Sequence, residues 1–218
     1  MNVGLLSITK PTLQFNNNVG LSSEDFIVYI ARVSNKKNQL NFDTSEKLLK
    51  YLIDNNHWSP FEHVFMTLEI NTSRAIASQI LRHRSFSFQE FSQRYQKISS
   101  YEEYSARRQD IVNRQNSIDD INDEDKNWFI ESQKNIWDIS YNLYNKAIDK
   151  GISKESARFL LPLNTSTKIY MSGSIRSWIH YIQVRTDVST QKEHRDIAEE
   201  CKKIFKENFK NISIALNF

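Results

Sequence analysis

The chain opens on an apolar run, MNVGLLSIT, which reads as a short strand ended by Lys10-Pro11. Ser22 or Ser23 is placed to cap a helix through DFIVYIARVS, residues 25–34. Thr44 precedes SEKLLKYLIDNN, an amphipathic helix with Leu48, Leu49, Leu52 and Ile53 on one face. HWSPFEH, residues 57–63, reads as a loop pinned by Pro60. VFMTLEINTS alternates apolar and polar positions and is β-branched, so a strand is expected there. RAIASQILRHR, residues 74–84, follows as a helix. Residues 101–127 are polar and aperiodic, and form the least ordered segment, a loop or an exposed helix. Helical spacing returns over residues 128–150, ended by Gly151. Ser153 can cap ESARFLL ahead of Pro162. A helix is expected over 175–185, and Thr190-x-x-Glu193 resembles a capping box for a last helix to about residue 209. No repeat and no Gly/Ser or Pro linker interrupts this order. The expected fold class is α+β, as a single domain over residues 1–218.

Composition narrows the function classes. With 39% hydrophobic and 25% charged residues in 218, a packed core is expected rather than disorder. The net charge of +3 is too small for general nucleic-acid binding, so any anion site must be local. No apolar run is long enough to span a membrane, and no signal peptide is evident. One cysteine, Cys201, excludes an intramolecular disulfide framework and a cysteine-based zinc site, and a cytoplasmic location is expected. His57 and His63 flank a Pro turn, but no third ligand cluster accompanies them, so no metal is expected. Four glycines and no GxGxxG or GxxxxGK[ST] leave a Rossmann or P-loop site unsupported.

One stretch carries candidate chemistry: RHRSFSFQEFSQRY, from Arg82 through Tyr95. Arginine's planar fork matches phosphate oxygens, and the intervening hydroxyls add donors. Three arginines so close point to a phosphorylated ligand, against the plainer reading of an exposed charged turn. Because Phe86, Phe88 and Phe91 alternate with the polar residues, RNA binding is a further reading, and packing is the commoner use of such rings. Gln79 and Arg82 are three apart and share a helix face. Glu90 and Arg94 are four apart and would serve equally as a structural ion pair.

The spacing R-H-R-x-x-S-x-x-x-x-S-x-R is met by Arg82, His83, Arg84, Ser87, Ser92 and Arg94. It resembles the signature of the flavin-dependent thymidylate synthases. His57-Trp58-Ser59-Pro60-Phe61-Glu62-His63 is similar to that family's upstream flavin-contact loop. Ala31-Arg32-Val33-Ser34, Ala157-Arg158 before FLLPLN, and Ser174-x-Arg176-x-x-x-His180-x-x-x-x-Arg185-x-Asp187 are similar to further blocks, in one order along most of the chain. The resemblance implies a central mixed α/β core with flanking helices. It implies methylation of dUMP to dTMP, with 5,10-methylenetetrahydrofolate as carbon donor and FAD, reduced by NADPH, as hydride source. It implies a homotetramer with sites at subunit interfaces; the small net charge and the lack of an apolar span lead to the expectation of no nucleic-acid or membrane partner. The alternative is a non-catalytic protein that binds RNA or another phosphoryl ligand.

By the same resemblance, Gln79, Arg82, Glu90, Phe91, Ser92, Gln93, Arg94, Arg158 and Arg185 contact dUMP. His57, Ser59, Arg82, His83, Arg84, Glu90, Ser174, Arg176 and His180 lie around FAD. Arg185 matches the arginine that engages the pyrimidine and favours its ionised form, which makes it the expected catalytic residue. The plainer reading for it is a salt bridge to Asp187 or another acid. Members of the family often carry asparagine where Ser174 stands, and a shorter side chain changes its reach. Ser92 is expected to bind substrate, since no adjacent Ser-His-Asp grouping activates it. Cys201 sits at helical spacing from Ile197, Ala198 and Ile204 and is expected to be a packed thiol, so no enzyme cysteine acts as nucleophile.

Overall fold

A computed structural model describes residues 2–12 and 21–218; Met1, first in the expected opening strand, lies outside them. Four strands form an antiparallel sheet in the order β1 (Asn2–Ile8), β2 (Phe65–Ser73), β6 (Ser166–Ser174), β3 (Ser87–Glu90). The long central pair, β2 and β6, runs in register from Phe65 opposite Ser174 to Ser73 opposite Ser166. Each strand of that pair leads straight into a helix, β2 into α3 (Arg74–Ile80) and β6 into α6 (Ile175–Arg185). The last serine of each strand caps the helix after it: Ser73 Oγ accepts from the Ile76 N–H, and Ser174 Oγ from the Ser177 N–H. Two strand–helix units therefore lie antiparallel, side by side.

One face of the sheet builds the core. Met66, Leu68 and Ile70 of β2 and Ile169 and Met171 of β6 are buried with Trp178, Ile179 and Ile182 of α6. Helix α7 (Lys192–Asn208) closes the core with Ile197, Cys201 and Phe205, and α8 (Lys210–Ala215) adds Ile212. The fold is α+β, as expected. The Cys201 thiol is fully buried, and burial pushes its pKa far above the ordinary value, so it is a packing group.

Several expected elements move. Helix α1 (Ser23–Ala31) starts on a Ser22–Asp25 capping box but stops before Val33. Helix α2 (Ser45–Asp54) matches its expectation within two residues. HWSPFEH is a 3-10 turn over Ser59–His63. The helix expected over 74–84 ends at Ile80, and residues 82–84 lie in a turn. β6 and β3 had no expected element, because Ser, Thr and Gly punctuate β6 like a loop although Thr167, Ile169, Met171 and Gly173 alternate inward. α4 (Asp123–Asp149) begins five residues before position 128, at an Asn122 cap whose Oδ1 accepts from the Asp125 N–H, with acidic residues filling the first turn. Ser153 precedes α5 (Lys154–Ala157) without a side-chain cap, and a 3-10 turn over Arg158–Leu160 follows. The capping box at Thr190 is not formed. Gln191 is the N-cap of α7 but its side chain makes no capping bond, Thr190 Oγ1 donates to the Val184 carbonyl, and Glu193 turns inward to Arg107.

Residues 101–127 are tied down rather than loose. Tyr101 stacks on Trp137 of α4 at 5.2 Å, and Tyr141 stacks on that ring in turn. Gln133 clamps both the N–H and the carbonyl of Tyr104, whose hydroxyl donates to Ser73 Oγ at 2.6 Å. A small ribbon, β4 (Arg108–Gln109) with β5 (Ser117–Ile118), is braced by Arg108 on Asp120. The ties of Tyr101 and Tyr104 reach residues about 30 positions away, so no local periodicity announces them.

Gly173 has one specific job. A Cβ there would sit 2.5 Å from the Phe86 ring. That ring is wedged edge-on against Trp178 and Tyr181, with His83 also close by, so it has little room to retreat. Gly173→Ala is therefore expected to cost about 1–3 kcal/mol by overpacking. Chemical denaturation checks this; a midpoint equal to wild type's would mean that the ring yields freely.

Candidate active site

Phe86 explains the turn after α3. Its buried ring anchors the segment, which turns His83 inward and leaves Arg82 and Arg84 exposed. Phe88, half-buried, packs against the core and against the Phe86 ring, so both rings serve packing. Two of the three rings of the RNA reading are thus packing groups, and Phe91 alone stays half-buried beside a pocket.

His83 meets Arg185 at the end of α6. Arg185 Nε donates to His83 Nε2 at 2.8 Å. A guanidinium keeps its protons, so His83 must accept as a neutral imidazole with its own proton on Nδ1. Burial, then the nearby Arg185 and His180, lower its pKa to about 4. Arg185 is thus held by a neutral partner, not by a carboxylate. Its two terminal nitrogens have no hydrogen-bond partner among the described residues. Asp187 is not its partner; that carboxylate accepts from the Ser189 N–H and hydroxyl.

Tyr181 and His194 complete the wall behind the pair. The His83 and Tyr181 rings meet at 4.9 Å and the Tyr181 and His194 rings at 5.8 Å. His194 is fully buried, and neither of its ring nitrogens has a partner among the described residues. Burial, then Arg185 and His83, lower its pKa to about 3. Sequence reasoning missed His194; a histidine inside the buried stripe of α7 was the available signal.

A cleft of about 500 Å³ opens beside α6, lined by Trp58, Glu62, Ser85, Arg176, Ser177 and His180 among others. Glu62, which sequence reasoning also missed, organises it. Its carboxylate receives Arg176 at 2.8 Å and the Ser174 hydroxyl at 2.5 Å. Partial burial opposes the charge of Glu62, but Ser174 and Arg176 outweigh it and hold the carboxyl below its usual range. Ser174 is buried and spends its side chain on this contact and on capping α6. His57 and Ser59 are exposed on either side of Trp58, and His57 lies edge-on to Tyr51.

A second group of cations lies around α5. Arg94 Nε contacts Glu155 at 3.0 Å, and Arg158 Nε donates to the Glu155 carbonyl. Both members of the Arg94–Glu155 pair are more than half exposed, so the pair contributes at most about 1 kcal/mol and gives way readily to a competing anion. Ser92 Oγ accepts from the Arg94 N–H at 3.4 Å, and the Ser92 carbonyl takes the Tyr95 and Gln96 amides. The Phe91 N–H is spent on the Lys168 carbonyl, and Gln93 is buried. Glu90 does not pair with Arg94. It binds Arg74 at 2.6 Å and accepts from Thr167. Among the described residues, no hydrogen bond or ion pair joins the Arg94–Arg158 group to the His83–Arg185 group. Gln79 stands apart from both, bonded to Gln191 at 2.6 Å. Arg32, from another matched block, is structural: it donates to the Asn38 carbonyl and the Thr44 hydroxyl.

No group of three potential metal ligands occurs among the described residues, and none of their helices is long and apolar enough to cross a membrane. A family model described as thymidylate synthase complementing protein matches residues 20–209. A probable flavin-dependent thymidylate synthase of Paramecium bursaria Chlorella virus 1 is 52% identical, covering 100% of both chains. A flavin-dependent thymidylate synthase of Synechocystis is 54% identical, again with 100% of each chain covered. The solved structure of a UMP/dUMP methylase PolB from Streptomyces cacaoi, bound with 5-Br dUMP, has a TM-score of 0.84. It is 22% identical, with 99% of this chain and 94% of its own covered, and that likeness shows a shared fold.

Proposed function

The chain belongs to the flavin-dependent thymidylate synthase family, and on that premise we propose that it methylates dUMP to dTMP, with 5,10-methylenetetrahydrofolate as carbon donor and FAD, reduced by NADPH, as hydride source. One observation carries the reading: Arg185 is oriented by a neutral base and keeps its charge and its fork for a ligand. A charge-assisted contact worth about 1.5–3 kcal/mol lowers a pyrimidine N–H pKa by roughly one to two units. Arg185 thereby favours the uracil anion and polarises the ring for attack on the carbon donor.

Arg94, Arg158 and Ser92 form the phosphate cradle in this reading. Phosphate replaces the weakly held Glu155 carboxylate and receives two guanidinium forks. Gln79, Arg82, Glu90, Phe91 and Gln93 complete the nucleotide site, with Glu90 kept in place by Arg74. The cleft beside α6 suits part of a flavin dinucleotide by its donor set. Trp58 brings an aromatic face, Arg176 and the exposed Arg84 bring cations for a pyrophosphate, and Ser85, Ser177 and His180 bring polar contacts. His57, Ser59 and Ser174 border it, with Ser174 acting through Glu62. Flavin, when bound there, supplies the hydride that completes the methyl group.

Two features support a homotetramer with shared sites. The phosphate cradle and the Arg185 fork are separate groups within one chain, as expected if another copy brings them together. Helix α4 also leaves Ile136, Ile139 and Leu143 exposed at helical spacing, an apolar stripe that a second copy would cover. A cytoplasmic location accords with the single buried cysteine and the soluble cosubstrates.

The purified protein is expected to carry a visible flavin spectrum that bleaches with NADPH. It should form dTMP only when dUMP and methylenetetrahydrofolate are both supplied. A protein that cannot be loaded with FAD, or that makes dTMP without a flavin, would overturn the reading. Arg94→Ala should raise the dUMP KM about tenfold or more, through the lost charge-assisted contact. Unchanged dUMP affinity would remove Arg94 from the cradle.

A further inference from the structure

We infer that the buried Arg107–Glu193 pair is a positioning device for the nucleotide site, acting through Gln191 to fix which end of the Gln79 amide faces the ligand. The inference rests on the proposed contact between Gln79 and dUMP. Four side chains form one chain of contacts. Arg107 Nη1 reaches Glu193 Oε1 at 2.5 Å. Gln191 Nε2 donates to Glu193 Oε2 at 2.8 Å. Gln79 Nε2 donates to Gln191 Oε1 at 2.6 Å. Arg107 is itself steadied by its Nε bond to Ser117 Oγ at 2.9 Å.

The polarity of this chain follows from its buried end. Side-chain exposure is 13% for Arg107 and 6% for Glu193, so the pair is shielded from water. Burial opposes the charge of Glu193, but Arg107 and Gln191 outweigh it and keep the carboxyl below its usual range. An ionised carboxylate only accepts. Gln191 must therefore face it with its NH2 group, which turns the Gln191 carbonyl oxygen toward Gln79. Gln79 must answer with its own NH2 group. Its Oε1 is left without a protein partner among the described residues, available to a ligand N–H or O–H. A free glutamine flips its amide at little cost and offers either end. The relay removes that choice, so Gln79 meets the nucleotide as an oriented acceptor. It also makes the 101–127 segment, which supplies Arg107, a part of substrate recognition rather than a surface loop.

The test is a double-mutant cycle in the flavin-loaded enzyme, with dUMP KM and kcat measured at saturating cosubstrates. Gln79→Ala should raise the dUMP KM roughly three- to tenfold, as for one lost hydrogen bond. Gln191→Leu, at an exposed position, cuts the relay and leaves the buried ion pair in place. Glu193→Gln keeps a partner for Arg107 and removes the obligation to accept. Each should raise KM by about threefold or more with little change in kcat. Neither should add to the effect of Gln79→Ala, because both act through that side chain. If Gln79→Ala has no effect, the contact between Gln79 and the nucleotide is refuted, and the relay with it. If Gln79→Ala has its effect while Gln191→Leu and Glu193→Gln have none, or add independently to it, the contact stands and the relay is overturned.

Discussion

Arg185→Ala is expected to slow dTMP formation by roughly 100-fold or more, while flavin content and NADPH-dependent bleaching stay near wild type. The size follows from removing a preorganised charge at a site of developing negative charge. The selectivity follows from geometry. Arg185 contacts His83, not the Glu62, Ser174 and Arg176 group that organises the flavin cleft. Single-turnover assays separate the two: the reductive half-reaction is followed by flavin absorbance, the oxidative half by dTMP yield. Near-normal dTMP formation by the variant would remove the activating role. Loss of flavin instead would show that Arg185 builds the cofactor site. His83 offers a second readout. Its pKa is lowered first by burial and then by Arg185, so the variant should raise it.

Acid should weaken the fold through the histidines at this site. His194 has a folded pKa of about 3 and His83 of about 4, against 6.5 for both in the unfolded chain. Between these values the unfolded chain binds protons that the folded protein does not. Stability is therefore full above pH 6.5 and declines as pH falls through 6.5 toward 4 and then 3. For the fully buried His194 the loss reaches roughly 4 kcal/mol by pH 3, at 1.36 kcal/mol per unit. Protonation there would place a second charge beside Arg185, with neither ring nitrogen partnered among the described residues. His194→Leu should flatten the decline, read as the denaturant midpoint from pH 7.5 to 4. A variant as acid-sensitive as wild type would place the weakness elsewhere.

The extent of sequence legibility differs from element to element. Helix α6 was readable to its ends, because its apolar period and the boundary at Ser174 are local. Phe86, Phe88 and Cys201 were readable as packing groups from residue type and spacing. Strand β6 was not, although it lies at the centre of the sheet. Its small and hydroxylated residues earn burial only by pairing with β2 and, at Gly173, by admitting the Phe86 ring. Glu62 and His194 were passed over for the same reason. A carboxylate becomes an organiser of a cleft through partners more than 100 positions away, and a histidine becomes a buried neutral ring only when Tyr181, Arg185 and His83 are folded against it.

The kind of chemistry is legible along the chain: permanent cations and hydroxyls at family spacing, a lone thiol in an apolar stripe, and an α+β order of elements. Charge, side-chain type and short-range period are properties of the chain, so they survive without coordinates. Which of those charges are free to act depends on the folded contacts. Arg94 is lightly held by an exposed acid and Glu90 belongs to Arg74. Arg185 is oriented by His83 across 102 positions and keeps its fork. Pairing, burial and the amide polarity that runs from Glu193 to Gln79 depend on distances between remote segments, and only the folded chain sets those distances.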